Sequence, residues 1–251
     1  MVNKPSSLNL RSRWAEPLID LFYPRSCILT GEPLGEGDYR YLTDWVIHRL
    51  PLIKDPRCPV CGHPFFGEVE EGPICHHCES LHPVFDQGHC GYLLSRDTRI
   101  LLHSFKYRKK RYLAPDIARL LSRSPGFFEF LKDSTIVPVP LHPRKERKRG
   151  FNQTDEILKH LEPLAPEGLN VLPLLRRNRE ADSQTRANRK ERLKQIRGAF
   201  GIDPKVEMPS QQKRCVIFDD VFTTGATLNT CAAVLKAAGF EQIDVAAFAH
   251  G

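Results

Sequence analysis

Two adjacent carboxylates, Asp219 and Asp220, stand directly before the run Phe222-Thr223-Thr224-Gly225-Ala226-Thr227. Small side chains in such a run let the backbone approach a ligand closely, and the hydroxyls add donors. If a helix starts there, its first N–H groups point at an anion. Carboxylates next to that crown accept hydrogen bonds from neutral hydroxyls. A phosphate with vicinal hydroxyls a few ångströms away describes a ribose 5-phosphate. The alternative is an ordinary strand-to-helix turn whose Thr and Gly serve only as caps. A triphosphate-binding P-loop does not fit, because no Gly-Lys-Ser/Thr follows and the run holds no lysine.

A second constellation lies upstream. Cys58-Pro59-Val60-Cys61 and Cys75-His76-His77-Cys78 are two Cys-x-x-Cys pairs separated by 13 residues, a spacing suited to a tetrahedral zinc site. Four thiolates would fill the coordination of Zn2+ and leave no position for a substrate, so the expected role is structural. His63, His76 and His77 are competing ligands, although a soft all-thiolate set suits zinc well. Cys27 has no paired partner between residues 31 and 57, so the segment around it is expected to be metal-free and held by Phe22, Tyr23, Tyr41 and Trp45. Cys90, Cys215 and Cys231 read as small apolar residues.

A third cluster is cationic. Leu141-His142-Pro143-Arg144-Lys145-Glu146-Arg147-Lys148-Arg149 holds five basic residues within 144–149 and follows the strand-like Ser134 to Pro140. It suits a ligand with several negative charges, or is a solvated basic turn before a helix. The net charge of +7 is uneven: residues 96–197 carry 25 basic and 12 acidic side chains, whereas the flanks are slightly acidic. Such a band neutralises a polyphosphate, attracts nucleic acid or solvates helix faces. For stacking on a single strand, the aromatics within it are few beyond Phe105, Tyr107 and Tyr112.

These groups need elements to position them. Cys215 to Phe218 reads as a buried central strand, and Ala226 to Ala238 has apolar residues at helical spacing closed by Gly239. A helical stretch is expected around 98–122, an amphipathic helix over Thr154 to Leu161, and further strands at Asn170 to Leu174 and Gln242 to Ala249. With 251 residues, 41% hydrophobic, the chain suffices for one core of ordinary size plus an appendage. No apolar stretch approaches 18 residues and no secretory signal is evident, so a cytoplasmic protein without membrane insertion is expected.

The acidic pair and its Thr-Thr-Gly-Ala-Thr loop resemble the 5-phosphoribosyl 1-pyrophosphate (PRPP) signature of type I phosphoribosyltransferases. Together with Ile136-Val137-Pro138-Val139-Pro140, Arg149-Gly150-Phe151-Asn152-Gln153, Arg192 to Phe200 and the Cys-x-x-Cys appendage, the chain resembles the ComF/GntX family from about Leu21 onward. Two departures are a degenerate first Cys knuckle and Gln195 where Asn is usual. The resemblance implies an α/β fold with a type I phosphoribosyltransferase-like parallel sheet flanked by helices, over residues 91–251, behind a small zinc-ribbon domain over 1–90. It further implies Asp219 and Asp220 on the ribose, Thr223, Thr224, Gly225, Ala226 and Thr227 on the 5-phosphate, and Leu141, His142, Arg144, Lys145 and Arg149 on pyrophosphate. Gln184, Arg189 and Arg192 fall in the flexible loop that would close over PRPP, and Mg2+ would accompany the ligand. The implied role is in DNA uptake and natural competence, with competence or recombination proteins as partners. Two alternatives are an active phosphoribosyltransferase with an unidentified acceptor and a single-stranded-DNA-binding adaptor.

Overall fold

The computed structural model describes residues 25–67, 74–107, 110–178, 198–211 and 213–251. Its centre is a five-stranded sheet of β1 (Gly88–Leu93), β2 (Thr135–Pro138), β3 (Asn170–Val171), β6 (Arg214–Phe222) and β7 (Gln242–His250), in the order β1-β7-β6-β2-β3. Every neighbouring pair is parallel. A sheet of this kind is buried on both faces, which is why β6 and β7 read as apolar runs rather than alternations. One face packs under α3 (Arg96–Tyr107), α4 (Ala114–Ser122), α5 (Phe127–Leu131) and α7 (Gln153–Leu161), around Leu101, Phe105, Ile117 and Ile157. The other packs under α8 (Ala226–Ala237), through Leu228, Cys231, Ala232 and Leu235. The short antiparallel pair β4 (Leu175–Arg177) and β5 (Phe200–Ile202) lies on that second side.

Most expected elements appear near their expected places. The strand expected to end at Phe218 continues through the acidic pair to Phe222, because β7 offers paired backbone as far as His250. The helix expected over 98–122 is α3 and α4, separated by a turn at Arg111–Leu113. The cationic segment is itself a helix, α6 (Pro143–Arg149), with Pro143 at its first turn and His142 Nδ1 accepting from Arg144 N at 3.2 Å. Cys90, Cys215 and Cys231 are fully buried.

The N-terminal segment is fastened to the sheet layer rather than tethered to it. Residue 90, the expected boundary, falls inside β1. Cys27, Tyr39, Leu42, Val46 and Ile47, the last two in α1 (Asp44–Arg49), join the core of α3 and α4. Trp45, expected to help hold this segment, is instead exposed and carries the Arg49 guanidinium over its ring at 4.6 Å; Phe22 and Tyr23 lie outside the described residues. The fastening is polar as well: Asp116 on α4, 1% exposed, accepts from Arg40 N at 3.0 Å and Tyr41 N at 2.7 Å. Asp116→Ala strands both N–H groups and is expected to cost about 2–4 kcal/mol, read as a shift in the midpoint of urea unfolding.

Among the described residues no helix is long and apolar enough to cross a membrane.

Candidate ribose-phosphate site and thiolate centre

The strand order sets the place of the site. From β2 the chain moves outward to β3, and from β6 it moves the other way to β7, so the crevice between β2 and β6 is the topological switch point where open α/β sheets bind ligands. Pairing of β2 with β6 stops at Pro138–Phe218, followed by one bond from Val139 N to Phe218 O. Beyond it, the end of β6 is open on the β2 side, and Asp219 and Asp220 sit there. Alternation along the strand turns the two carboxylates to opposite faces. Asp220 meets Lys106 of α3, with Nζ 2.5 Å from Oδ2, whereas Asp219 faces α8, where burial and then the Asp219 charge push up the Cys231 thiol. Asp219 Oδ1 accepts from Asp220 N at 2.8 Å. Burial first, and then the Asp220 charge, hold the Asp219 carboxyl well above the usual carboxylate range.

The two acids line a cavity of about 200 Å³ together with Leu141, Lys145, Arg149 and Thr227. The structure therefore gathers expected residues from two separate stretches, 141–149 and 219–227. Lys106, Tyr107, Asn152 and Arg177 complete the wall. Sequence reading assigned no site role to Lys106, Asn152 or Arg177, since no local motif marks Lys106 or Arg177 and only the fold brings them here; Asn152 lay within a quoted motif whose loop it closes, donating to Val139 O at 3.2 Å. His142 and Arg144, at the start of α6, do not line the cavity, and neither do Thr223 and Thr224, which are exposed beside it. Gln184, Arg189 and Arg192 lie outside the described residues; β4 and β5 flank their segment. A larger cleft of about 720 Å³ opens at the opposite ends of the strands, without the acidic pair, and its cations Lys132, Lys213 and Arg214 are offset by Glu129, Asp133, Glu162 and Glu167.

The loop itself is built for close approach. The N-cap of α8 is Gly225 at φ +69°, which has no side chain to cap with, and Thr224 Oγ1 accepts from Ala226 N at 3.5 Å. A Cβ on Gly225 would come within 2.7 Å of both Leu81 and Phe222. Gly225→Ala is thus strained in its backbone and obstructed by two side chains, and is expected to cost about 2 kcal/mol or more in stability, measured by thermal unfolding.

Leu81 ends α2 (His76–Leu81), the helix carrying the last of the four paired cysteines. Cys58, Cys61, Cys75 and Cys78 are all buried, and their Sγ atoms lie within 4.8 Å of one another, with Cys61–Cys75 at 3.4 Å and Cys58–Cys78 at 4.0 Å. Zn–S bonds of about 2.3 Å in a tetrahedron put sulfurs about 3.8 Å apart, so the donor set and its spacing fit a structural zinc ion. Among the described residues this is the one such group, and the competing histidines stay out of it. His76 is exposed near Glu79, while His63 and His77 face His250. The knuckle packs directly on β1: a Cβ on Gly88 would lie 2.9 Å from Cys61 Cα. Val84 N donates to Asn229 Oδ1 on α8 at 2.6 Å, and Phe85 meets Phe222 edge-on. The thiolate centre and the phosphate loop are therefore neighbours in one packed unit.

No protein-family model matches the chain. It is 28% identical over 216 residues to Competence protein F of Haemophilus influenzae, covering 78% of this chain and 91% of that one. Over 239 residues it is 28% identical to DNA utilization protein YhgH of Escherichia coli K12, covering 90% of this chain and 96% of the relative. Over 112 residues it is 33% identical to Competence protein ComFC of Streptococcus pneumoniae, 45% of this chain and 46% of the other. Alignment over most of the chain to two such relatives, on a parallel sheet with a four-cysteine centre at its N-terminal side, supports the resemblance to the ComF family.

Proposed function

We propose that this protein binds PRPP, with Mg2+, in the crevice between β2 and β6, and serves in the cytoplasm in the uptake or use of external DNA. The observation that carries the binding is one cavity lined by the acidic pair, by Lys145 and Arg149, and by Thr227 in the first turn of α8. The carboxylates accept from ribose hydroxyls, the start of α8 takes the 5-phosphate, and α6 takes the pyrophosphate. Mg2+ neutralises charge on the pyrophosphate when bound, and an oxygen-rich pocket with two carboxylates fits it. The DNA role rests on similarity to Competence protein F and DNA utilization protein YhgH. We further propose the division into a ribbon and a phosphoribosyltransferase-like unit, with the unit beginning at β1. Calorimetry with Mg-PRPP tests the reading: saturable binding supports it, and its absence in the intact, metal-loaded protein removes it.

Transfer of the phosphoribosyl group to an acceptor is compatible with the same pocket. Positioning and charge stabilisation would be the chain's contribution, as pyrophosphate leaves C1 and the acceptor's nucleophile bonds to it. Pyrophosphate release on screening nucleobases decides this. A second reading, binding of single-stranded DNA, is favoured by Tyr107, 65% exposed with Arg149 over its ring at 5.1 Å, and by the exposed Tyr112. Phe105, also expected to stack, is fully buried in the core and unavailable. Strand affinity that does not fall steeply with salt speaks against this reading.

A further inference from the structure

We propose that Lys106 is the residue by which this pocket distinguishes a ribose 5-phosphate bearing pyrophosphate at C1 from one without it. The inference rests on the ribose-phosphate reading above and names a determinant of that site. Lys106 lies in the last turn of α3, and its neighbours fix its backbone: Leu101, Leu102 and Phe105 are buried in the main core. Its side chain, 22% exposed, reaches the cavity and places Nζ on Asp220 Oδ2. An ammonium has three donors, and a single carboxylate oxygen does not use them all. The charge thus stands between the acids that suit ribose hydroxyls and the cations of α6.

Two contacts tie Lys106 to α6. Phe105 packs on Phe151 at 5.2 Å between ring centres, and Arg149 lies over the ring of Tyr107. Residues on both sides of Lys106 are thereby clasped to residues at and just beyond the end of the cationic helix. A ligand anion drawn to Lys145 and Arg149 also comes within range of Lys106. The 5-phosphate goes to the start of α8, which packs on the opposite face of the sheet from α3, although Thr227 of α8 lines the same cavity as Lys106. A pyrophosphate at C1 would therefore use the free donors of Lys106 while Asp220 keeps one, and ribose 5-phosphate would leave them to water. A charge-assisted hydrogen bond of this kind is worth about ten- to a hundredfold in affinity.

The experiment compares two ligands on four proteins: Mg-PRPP by calorimetry and ribose 5-phosphate by competition, with the intact protein, Lys106→Gln, Asp220→Asn and the double variant. Gln keeps a donor, one bond shorter, but removes charge, and thermal unfolding checks that each variant is folded. Lys106→Gln is expected to weaken PRPP at least tenfold and ribose 5-phosphate by no more than about threefold. Asp220→Asn should weaken both alike and keep their ratio. In the double variant, which no longer buries an unpaired carboxylate, the ratio should stay collapsed. Equal loss of both ligands on Lys106→Gln would make Lys106 only the counter-ion of Asp220, and unchanged binding of both would remove it from the site; either overturns the inference while leaving PRPP binding intact. An intact protein that binds neither ligand overturns the underlying reading and this one with it.

Discussion

Asp219→Asn together with Asp220→Asn is expected to lower Mg-PRPP affinity at least about thirtyfold, the loss of a charge-assisted contact at Asp220 of about 1.5–3 kcal/mol and of a neutral one at Asp219 of about 0.5–1.5 kcal/mol. The single Asp219→Asn variant adds a second and opposite readout. Its carboxyl is held above the usual range by burial and by Asp220, so the folded protein favours the protonated form. For an acid with a raised native pKa, stability is highest below the unfolded value near 3.9 and falls as pH rises toward the native one. Asn cannot ionise and carries no such penalty. Asp219→Asn is therefore expected to unfold at a temperature higher by about 2 °C or more at pH 7, with the gain shrinking as pH approaches 4. Thermal scans across that window measure it. A variant that loses ligand and stability together would mean that Asp219 is structural.

The other large effect concerns the metal. Cys58→Ser or Cys78→Ser, or a strong chelator, is expected to remove close to one zinc per chain and to lower the unfolding temperature by more than about 10 °C. Structural zinc contributes about 10–16 kcal/mol of apparent binding energy in small domains, far above the few kcal/mol a single packing change removes. Without a cation, burial pushes the Cys75 thiol up to about 12, and a hydrogen bond with Cys78 raises Cys61 as well. Metal must displace those protons, so retention against a chelator should weaken as pH falls. Elemental analysis after dialysis at graded pH checks this. Because the centre packs on β1 and on the loop at Gly225, amide exchange should quicken at 225–229 as well as at the cysteines. Exchange confined to the cysteine segment would show the two to be independent.

What sequence conveyed was local. The four cysteines, the acidic pair and the Thr-Thr-Gly-Ala-Thr loop each announce their chemistry within a short window, and the apolar runs of β6, β7 and α8 announce a buried parallel sheet. Strand ends were less legible, because β6 is extended by pairing with β7 rather than by its own composition. The cationic segment looked like a loop, yet Pro143, His142 and a C-terminal Gly150 at φ +89° frame a helix. Lys106 and Arg177 escaped notice since each is distant in the chain from the residues it joins. Phe105 looked available for stacking, although its helix turns it wholly inward.

The fit of Leu81 into the hollow over Gly225 limits how this protein can be cut or recombined. Expressed from β1 onward, the sheet and its helices would present water with a leucine-sized dent beside Gly225, flanked by Phe222 and by the bared Gly88 edge. Such a fragment invites self-association, and a graft of another protein's ribbon must bring a side chain of matching shape at that spot. Heredity is thereby constrained too: an alteration at either position is acceptable only to the extent that the other half tolerates it.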